Sequence, residues 1–232
     1  LKHKIDQDNA AMDLLRSQRD GEEWYTIYRT YDEVQDKLVE IANSSSIVTL
    51  INLGDSYENR AIKGLKFSTG GSDKPAVLFN GCQHAREWIT VMATTYFADQ
   101  LAQEYVNNTF THTLLDIVDV YIVPIVNPDG YVYTHTTDRY WRKNRQPNSG
   151  SPYVGTDLNR NWDADWNGGQ STSTSPSSDI YVGSSPFSAT EANVVKNYLK
   201  SIPNLRGHLD IHSYSALVLG PWGYSNTETP DH

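Results

Sequence analysis

The sequence predicts an α/β fold, and three observations support this prediction. Strand-like runs at residues 47–53, 62–67 and 76–79 are rich in aliphatic residues and are separated by turn-forming Gly, Asp and Ser. An apolar-rich stretch at residues 88–106 is long enough for a buried helix. Residues 117–126 form a further apolar run that is typical of a central strand. Strands that alternate with a long helix indicate helices layered on a sheet.

A helix is predicted before the first strand, at residues 31–41. Its acidic residues Asp32 and Glu33 fall in the first turn, where negative charge interacts favourably with the helix dipole. The apolar residues recur at intervals of three and four, which is the spacing of a helix with one buried face. They are Tyr31, Val34, Leu38 and Ile41.

The composition changes after the predicted central strand. Residues 127–189 are rich in Asn, Asp, Gly, Pro, Ser and Thr with interspersed aromatic residues, and no helix or strand is evident. A stretch this long without regular elements is usually functional, so we expect the chemistry there. The pattern then predicts a helix at residues 190–199, with Thr190 as its N-cap, and a short strand at residues 209–211. His212 directly follows that strand.

Charge and hydropathy exclude two classes of partner. The 232 residues include 19 basic and 28 acidic side chains, a formal net charge of -9, and such a protein repels the phosphates of nucleic acids. No apolar run reaches the roughly 18 to 20 residues that a bilayer span requires. We expect a single soluble domain with no nucleic-acid or membrane partner. Cys82 is the only cysteine, so no intramolecular disulfide forms, and sequons at Asn43 and Asn107 favour secretion.

The spacing of His84 and Glu87 predicts a metal site. Both follow the strand at residues 76–79 and lie one helical turn apart, so an imidazole and a carboxylate can converge on one ion. A catalytic zinc typically takes three protein ligands, and His212 is the natural third because it also follows a strand. Taken alone, a His-x-x-Glu pair is more often a salt bridge or hydrogen bond at a helix start than a metal site. His208 is interpreted as an ordinary surface or core histidine.

A cluster of cationic residues predicts an anion-binding site in this acidic protein. Four basic residues fall within the seven positions 139–145, and Asn159 and Arg160 follow in the same polar region. Arginine suits a carboxylate because its planar guanidinium donates two parallel hydrogen bonds. Lys143 and Arg145 also fit a solvated basic turn. A zinc ion beside an arginine that holds a free carboxylate indicates hydrolysis of the amide next to the C-terminus of a peptide.

Seven segments together have a more specific pattern than either cluster alone. They are GDSYENR at 54–60, LKFSTGG at 65–71, HAREWI at 84–89, NPDGY at 127–131, WRKNR at 141–145, DLNRNW at 157–162 and IHSYS at 211–215. In this order they resemble the zinc metallocarboxypeptidases of the pancreatic carboxypeptidase A and B type, family M14. The resemblance extends from about Tyr28 to the end of the chain. It implies an α/β/α sandwich on a mixed β-sheet.

The resemblance also implies roles for individual residues. His84, Glu87 and His212 would bind one zinc ion, and Arg142 would stabilise the oxyanion that forms when water attacks the scissile carbonyl.

The remaining implied roles concern the substrate. Asn159 and Arg160 would bind the terminal carboxylate of a peptide or protein. Arg86, Ser213 and Tyr214 resemble further substrate contacts of the family, in which the bond corresponding to Ser213-Tyr214 is a cis peptide.

Two parts of the chain depart from the family. The family's general base is a glutamate in a C-terminal part that would follow His232, so residues 26–232 are interpreted as a catalytic domain whose fold is incomplete at the C-terminus. We expect this chain to be a truncated or cleaved part that is nearly inactive alone and is associated with a second chain. Residues 1–25 are interpreted as a connector or pro-segment remnant. The active-site-loop disulfide of many relatives cannot form, because Tyr153 and Ser177 occupy the matching surroundings.

The function expected from these observations is that of a secreted, extracellular zinc exopeptidase, made as a zymogen, that removes single C-terminal residues. Leu219 and Gly223 resemble pocket-wall positions and favour large apolar terminal residues. Two alternatives remain open. One is a small-molecule zinc amidohydrolase of the aspartoacylase type, and the other is a non-catalytic protein that binds peptide C-termini.

Overall fold

A mixed five-stranded sheet lies at the centre of the computed structural model, which describes residues 24–71, 73–169, 171–225 and 227–229. The strands are β1 (Val48–Asp55), β2 (Ala61–Phe67), β3 (Ala76–Gly81), β4 (Asp119–Val123) and β5 (Leu205–Ile211). Their order in the sheet is β1-β2-β4-β3-β5. The pairs β1–β2 and β2–β4 are antiparallel, whereas β3 is parallel to both β4 and β5. The carboxyl ends of β3 and β5 therefore meet at one edge.

Five α-helices accompany the sheet within the described ranges. They are α1 (Tyr31–Ser44), α2 (Trp88–Asn107), α3 (Thr109–Ile117), α4 (Pro128–Thr136) and α5 (Thr190–Ser201). Short 3₁₀ turns occur at Trp24–Thr26 and Leu158–Arg160. None of the helices in this part of the chain has the length and apolar character needed to cross a bilayer. The predicted connector at residues 1–25 falls almost entirely outside the described residues.

Helices cover both faces of the sheet, so the predicted α/β/α arrangement is confirmed. On one face, Leu38 of α1 and Ala98 of α2 belong to a buried cluster with Phe67 of β2. On the other face, Val195 of α5 packs in a second buried cluster with Leu78 of β3. Burial of these aliphatic faces is the main favourable contribution to the stability of such a layered fold.

Most predicted elements are confirmed, with boundaries that differ by a few residues. The helix at the N-terminal side begins at Tyr31 as predicted, because Thr30 and Glu33 form a capping box in which each side chain bonds to the other's backbone N–H. The apolar run at 88–106 forms α2. The strand β5 begins at Leu205, four residues before the predicted start at residue 209.

Three predictions about local structure were wrong. Residues 117–126 are not one strand, because α3 ends at Ile117 and β4 spans only Asp119–Val123. The polar region after 126 contains α4, which Asn127 caps by accepting a hydrogen bond from Gly130 N at 3.0 Å. Thr190 is not the N-cap of α5. Ala189 occupies that position, and Thr190 instead donates from both its backbone N–H and its hydroxyl to Gln146.

Candidate functional site

The candidate site lies at the carboxyl edge of β3 and β5. Gly81 pairs with Ile211 at the end of the parallel ladder, so the segments that follow these two strands emerge side by side. One segment contains His84 and Glu87, and the other contains His212. Candidate metal-binding atoms of these three residues all lie within 4.8 Å of one another.

Both histidines turn the same ring nitrogen to Glu87. The Nδ1 atom of His84 lies 2.8 Å from Glu87 Oε1, and the Nδ1 atom of His212 lies 3.0 Å from Glu87 Oε2. The side chains of His84 and Glu87 are only 4% and 8% exposed, whereas that of His212 is 28% exposed. The group is therefore open to solvent on the His212 side.

The charges of this cluster reinforce one another. Burial raises the pKa of Glu87, but hydrogen bonds and charge from His212 and His84 outweigh burial and lower the pKa to about 2. Burial lowers the pKa of His212, but Asp210 and Glu87 outweigh it and raise the pKa to about 9. An anionic carboxylate between two imidazoles is the result.

This donor set fits a zinc ion. Two imidazole nitrogens and one carboxylate are a common protein ligand set of catalytic zinc, and three protein ligands leave a further position for water or substrate. The shared orientation of the two Nδ1 atoms towards Glu87 brings all three donors to one point. The His84–Glu87 pair also makes the contact expected of a simple ion pair, but His212 joins it from a separate strand.

Asp157 connects this cluster to Arg142. Its Oδ1 atom lies 3.1 Å from His84 Nε2, and its Oδ2 atom accepts hydrogen bonds from Arg142 Nε at 3.0 Å and Nη2 at 2.8 Å. The Asp157 side chain is fully buried. Burial raises the pKa of this carboxyl, but His84 and then Arg142 outweigh burial and lower it. Sequence reasoning did not single out Asp157, although its place two residues before Asn159, whose N–H it caps, was a usable signal.

The loop that contains Arg142 is tied to the segment that contains His84. The backbone N–H of Ala85 donates to the carbonyl of Arg142 at 3.0 Å. The Arg142 side chain is 13% exposed, so its guanidinium sits in a partly dry environment. The two hydrogen bonds to the buried Asp157 carboxylate therefore hold the guanidinium in one orientation.

Asn159 and Arg160 lie beside the cluster on the turn Leu158–Arg160. Asn159 Nδ2 is 3.3 Å from His212 Nε2. The Arg160 guanidinium donates to the carbonyls of Ser171 at 2.7 Å and Asn159 at 2.8 Å. Both residues line a cavity of about 590 Å³. Its other lining residues include Trp162, Trp166, Leu219, Trp222, Gly223 and Tyr224.

The other three predicted substrate contacts, Arg86, Ser213 and Tyr214, differ in how near they lie to the His84–Glu87–His212 cluster. Arg86 donates to the Tyr140 carbonyl at 3.1 Å and pairs with Asp179 at 3.3 Å near the surface. Ser213 approaches the cluster through its backbone N–H, which donates to Glu87 at 3.1 Å. The Tyr214 residue is 95% exposed. The Ser213-Tyr214 peptide bond is cis, as the family resemblance implies.

A second acidic residue was also missed from the sequence. Asp210, near the end of β5, lies 2.5 Å from His212 Nε2 through its Oδ2 atom. Its position two residues before His212 places both side chains on the same face of an extended segment, which was the available signal.

Comparison with known proteins gives a consistent result. A family model described as zinc carboxypeptidase matches residues 34–232. Carboxypeptidase A2 of Rattus norvegicus is 40% identical over 230 residues, which covers 98% of this chain and 54% of the rat protein. The chain thus spans about half the length of the curated relatives it matches.

Solved structures of similar fold include two eukaryotic proteins. Bovine thrombin-activatable fibrinolysis inhibitor, in a complex with tick carboxypeptidase inhibitor, aligns with a TM-score of 0.82 and 35% identity over 90% of this chain and 69% of that one. Carboxypeptidase A from Helicoverpa armigera aligns with a TM-score of 0.82 and 32% identity, covering 93% of this chain and 54% of that one.

Proposed function

Because the chain belongs to the zinc carboxypeptidase family, we propose that the protein is a zinc-dependent exopeptidase that hydrolyses the C-terminal peptide bond of peptides and proteins. One observation carries the proposal. The Nδ1 atoms of His84 and His212 converge on the Glu87 carboxylate. Arg142 and Asn159 lie beside them, joined through Asp157 and His212.

The cofactor of this family is a single zinc ion. We propose that His84, Glu87 and His212 hold it, which agrees with their mutual distances of less than 4.8 Å. When bound, zinc supplies a Lewis acid that polarises a carbonyl group and activates water. The chain's own contribution is to keep two imidazole nitrogens and one carboxylate directed at the same point.

Arg142 is the proposed donor to the developing oxyanion. Asp157 already accepts hydrogen bonds from its Nε and Nη2 atoms, which fixes the plane of the guanidinium before substrate binds. A donor that is fixed in advance stabilises charge in the transition state without paying a reorganisation energy. Support for this role comes from the shared Asp157 carboxylate, because it links Arg142 directly to His84.

Asn159 and Arg160 are the proposed recognition groups for the terminal carboxylate. Arg160 presently donates to two backbone carbonyls at the cavity wall, and a substrate carboxylate is a stronger acceptor for the same guanidinium. Arg86, Ser213 and Tyr214 are proposed as further contacts to the substrate chain. These three residues lie at increasing exposure from the cluster to the protein surface, so they could contact successive residues of an extended peptide.

The cavity beside Arg160 is the proposed pocket for the terminal side chain. Its volume of about 590 Å³ and its lining by Trp162, Trp166 and Trp222 favour a large apolar residue. Leu219 and Gly223, the two positions that favoured apolar residues from the sequence, both belong to this lining.

By resemblance to the family, none of residues 1–232 corresponds to the glutamate that acts as general base. We propose that residues 1–232 expressed alone bind zinc and turn over substrate on the order of 10²- to 10⁴-fold more slowly than a protein with that base. A further segment or a second chain would supply the base. Secretion and synthesis as a zymogen are proposed from the relationship to the carboxypeptidases A.

The proposed activity is tested in the complete protein, including whatever segment or chain supplies the base, with a blocked dipeptide that ends in Phe and with the same dipeptide amidated at its C-terminus. We expect the protein to hydrolyse only the free acid, to lose activity when a chelator removes the metal, and to regain it with added zinc. Equal hydrolysis of both peptides would contradict recognition of the carboxylate. Binding of the free acid without hydrolysis would favour the non-catalytic alternative.

The same assay tests the proposed pocket. Dipeptides that end in Phe, Lys or Glu differ only in the terminal side chain, so their kcat/KM values report the preference of the cavity. We expect the Phe substrate to be hydrolysed most efficiently. Higher efficiency with Lys would instead indicate that Asp165, the acidic residue in the lining, decides specificity.

A further inference from the structure

The imidazole of His212 has an acidic partner that the proposed reaction does not use. Asp210 Oδ2 lies 2.5 Å from His212 Nε2, on the side of the ring opposite to Glu87. The side chains of Asp210 and His212 are 19% and 28% exposed, so the pair is only partly hydrated. An ionised carboxylate only accepts hydrogen bonds, so this contact requires a proton on Nε2.

Two side-chain amides of the neighbouring β3 segment hold the Asp210 carboxylate. Asn80 lies directly opposite Asp210 in the β3–β5 register, and its Nδ2 donates to Asp210 Oδ1 at 2.6 Å. Gln83 donates from Nε2 to Asp210 Oδ2. Asn80 and Gln83 are only 1% and 3% exposed. The carboxylate is therefore anchored at both oxygens by buried donors.

Further donors fix the direction in which these amides point. The indole N–H of Trp162 donates to Gln83 Oε1 at 3.3 Å. Since an indole nitrogen is only a donor, Gln83 must present its carbonyl to Trp162 and its NH₂ group to Asp210. On the other side, His208 Nε2 contacts Asn80 Oδ1 at 2.5 Å, which leaves the NH₂ group of Asn80 for Asp210. The NH₂ groups of both Gln83 and Asn80 therefore point to the Asp210 carboxylate.

We propose that Asp210 is the positioning residue of His212. It holds the proton on Nε2, so the proton that zinc would displace is the one on Nδ1, and the Nδ1 lone pair would then face the point that Glu87 and His84 share. This inference rests on the proposed zinc site. His84 has the same arrangement, with Nε2 facing the Asp157 carboxylate and Nδ1 facing Glu87. A carboxylate on the outer nitrogen fixes the tautomer of a metal-binding histidine and increases its basicity.

One neighbouring group competes with this arrangement. Asn159 Nδ2 lies 3.3 Å from His212 Nε2 and would donate to it only if the proton moved to Nδ1. A ring with its proton on Nδ1 cannot bind zinc through that atom. The contact with Asp210 is 0.8 Å shorter (3.3 minus 2.5) and involves a charged acceptor, so it determines the tautomer.

The inference is tested by measuring zinc affinity in competition with a chelator. We expect Asp210→Asn, which keeps the side-chain shape and removes the charge, to weaken zinc binding by about 10- to 100-fold. Asp116→Asn is the matched control, because Asp116 pairs with His112 at 3.3 Å on α3, away from the site. The control should bind zinc as the unchanged protein does.

The outcomes separate this inference from the proposed function. If the unchanged protein fails to bind zinc, the proposed function is wrong and the inference falls with it. If the unchanged protein binds zinc and Asp210→Asn binds it equally well, only the inference is overturned.

A second measurement needs no variant. In the zinc-loaded protein, long-range ¹H–¹⁵N spectra should show that His212 has its proton on Nε2 and binds metal through Nδ1. The reverse assignment would overturn the inference even if Asp210→Asn failed to fold.

Discussion

Arg142 donates two hydrogen bonds to a single carboxylate oxygen of Asp157, from Nε at 3.0 Å and from Nη2 at 2.8 Å. The other oxygen of Asp157 lies 3.1 Å from His84 Nε2. One buried carboxylate thus orients both a proposed zinc ligand and the proposed oxyanion donor. Because the Asp157 side chain is fully buried, these interactions are weakly screened by solvent.

The shared carboxylate predicts a double defect in Asp157→Asn. In an asparagine the NH₂ group would replace one of the two carboxylate oxygens and would face a donor of His84 or Arg142, so the side chain cannot accept from both. We expect zinc affinity to fall by about 10- to 100-fold and kcat to fall as well when the site is saturated with zinc. Chelator competition and steady-state kinetics measure the two effects, with Asp116→Asn as the control. Unchanged zinc affinity would contradict the role of Asp157 in orienting His84.

Arg142→Ala is predicted to act on kcat. The proposed contact to the carbonyl oxygen strengthens only as negative charge develops, so its removal affects the transition state more than the bound substrate. We expect kcat to fall by about 10²- to 10³-fold with little change in KM. Arg206→Ala removes an exposed arginine on β5 and should leave both constants unchanged. A normal kcat in Arg142→Ala would show that the oxyanion has another donor.

Arg160→Ala is predicted to act mainly on KM. Hydrogen bonds to a charged group contribute about 1.5–3 kcal/mol, which corresponds to a rise in KM of roughly 10- to 100-fold. Selectivity for the free acid over the amide should fall by a similar factor. Arg160→Lys keeps the charge but loses the planar pair of donors, so its KM should be intermediate. A loss confined to kcat would place the terminal carboxylate elsewhere.

The long, strongly patterned elements could be predicted from the sequence. The helix α2 has ten buried residues, and the aliphatic strands β2 and β3 are buried over most of their length, so their composition alone indicates them. The boundary between α2 and α3 was missed because a single residue, Asn108, ends one helix and caps the next. The helix α4 was missed because its apolar residues form no regular stripe and its start depends on the Asn127 cap.

The residues of the candidate site also fall into those that the sequence singles out and those that it does not. Spacing singled out His84 and Glu87, the strand-end position singled out His212, and the structure brings the three side chains together. Asp157 and Asp210 carried only local signals, a turn cap and a shared strand face, and these signals alone do not show which histidine each carboxylate meets. The amide of Asn80, for example, meets Asp210 only through the register of two strands that are 130 residues apart at this pair.

Glu191 is a buried carboxyl group outside the proposed site. It lies on α5 with 0% exposure and accepts hydrogen bonds from Asn144 Nδ2 at 2.6 Å and from the backbone N–H of Tyr57 at 3.1 Å. Burial raises the pKa of Glu191, and the nearby Asp129 raises it further, while these hydrogen bonds only partly offset the rise. Neutral Glu191 is therefore favoured by folding.

The raised pKa of Glu191 predicts a specific dependence of stability on pH. Between the unfolded value of 4.5 and the higher folded value, the folded protein binds more protons than the unfolded chain, so the free energy of unfolding falls as pH rises. Urea unfolding over a series of pH values should show this fall in the unchanged protein. The difference between its profile and that of Glu191→Gln should grow with pH across that window, because glutamine does not titrate. Glu40→Gln changes a side chain that is 68% exposed, so it should follow the unchanged protein. Parallel profiles for Glu191→Gln and the unchanged protein would mean that folding leaves the pKa of Glu191 where it is in the unfolded chain.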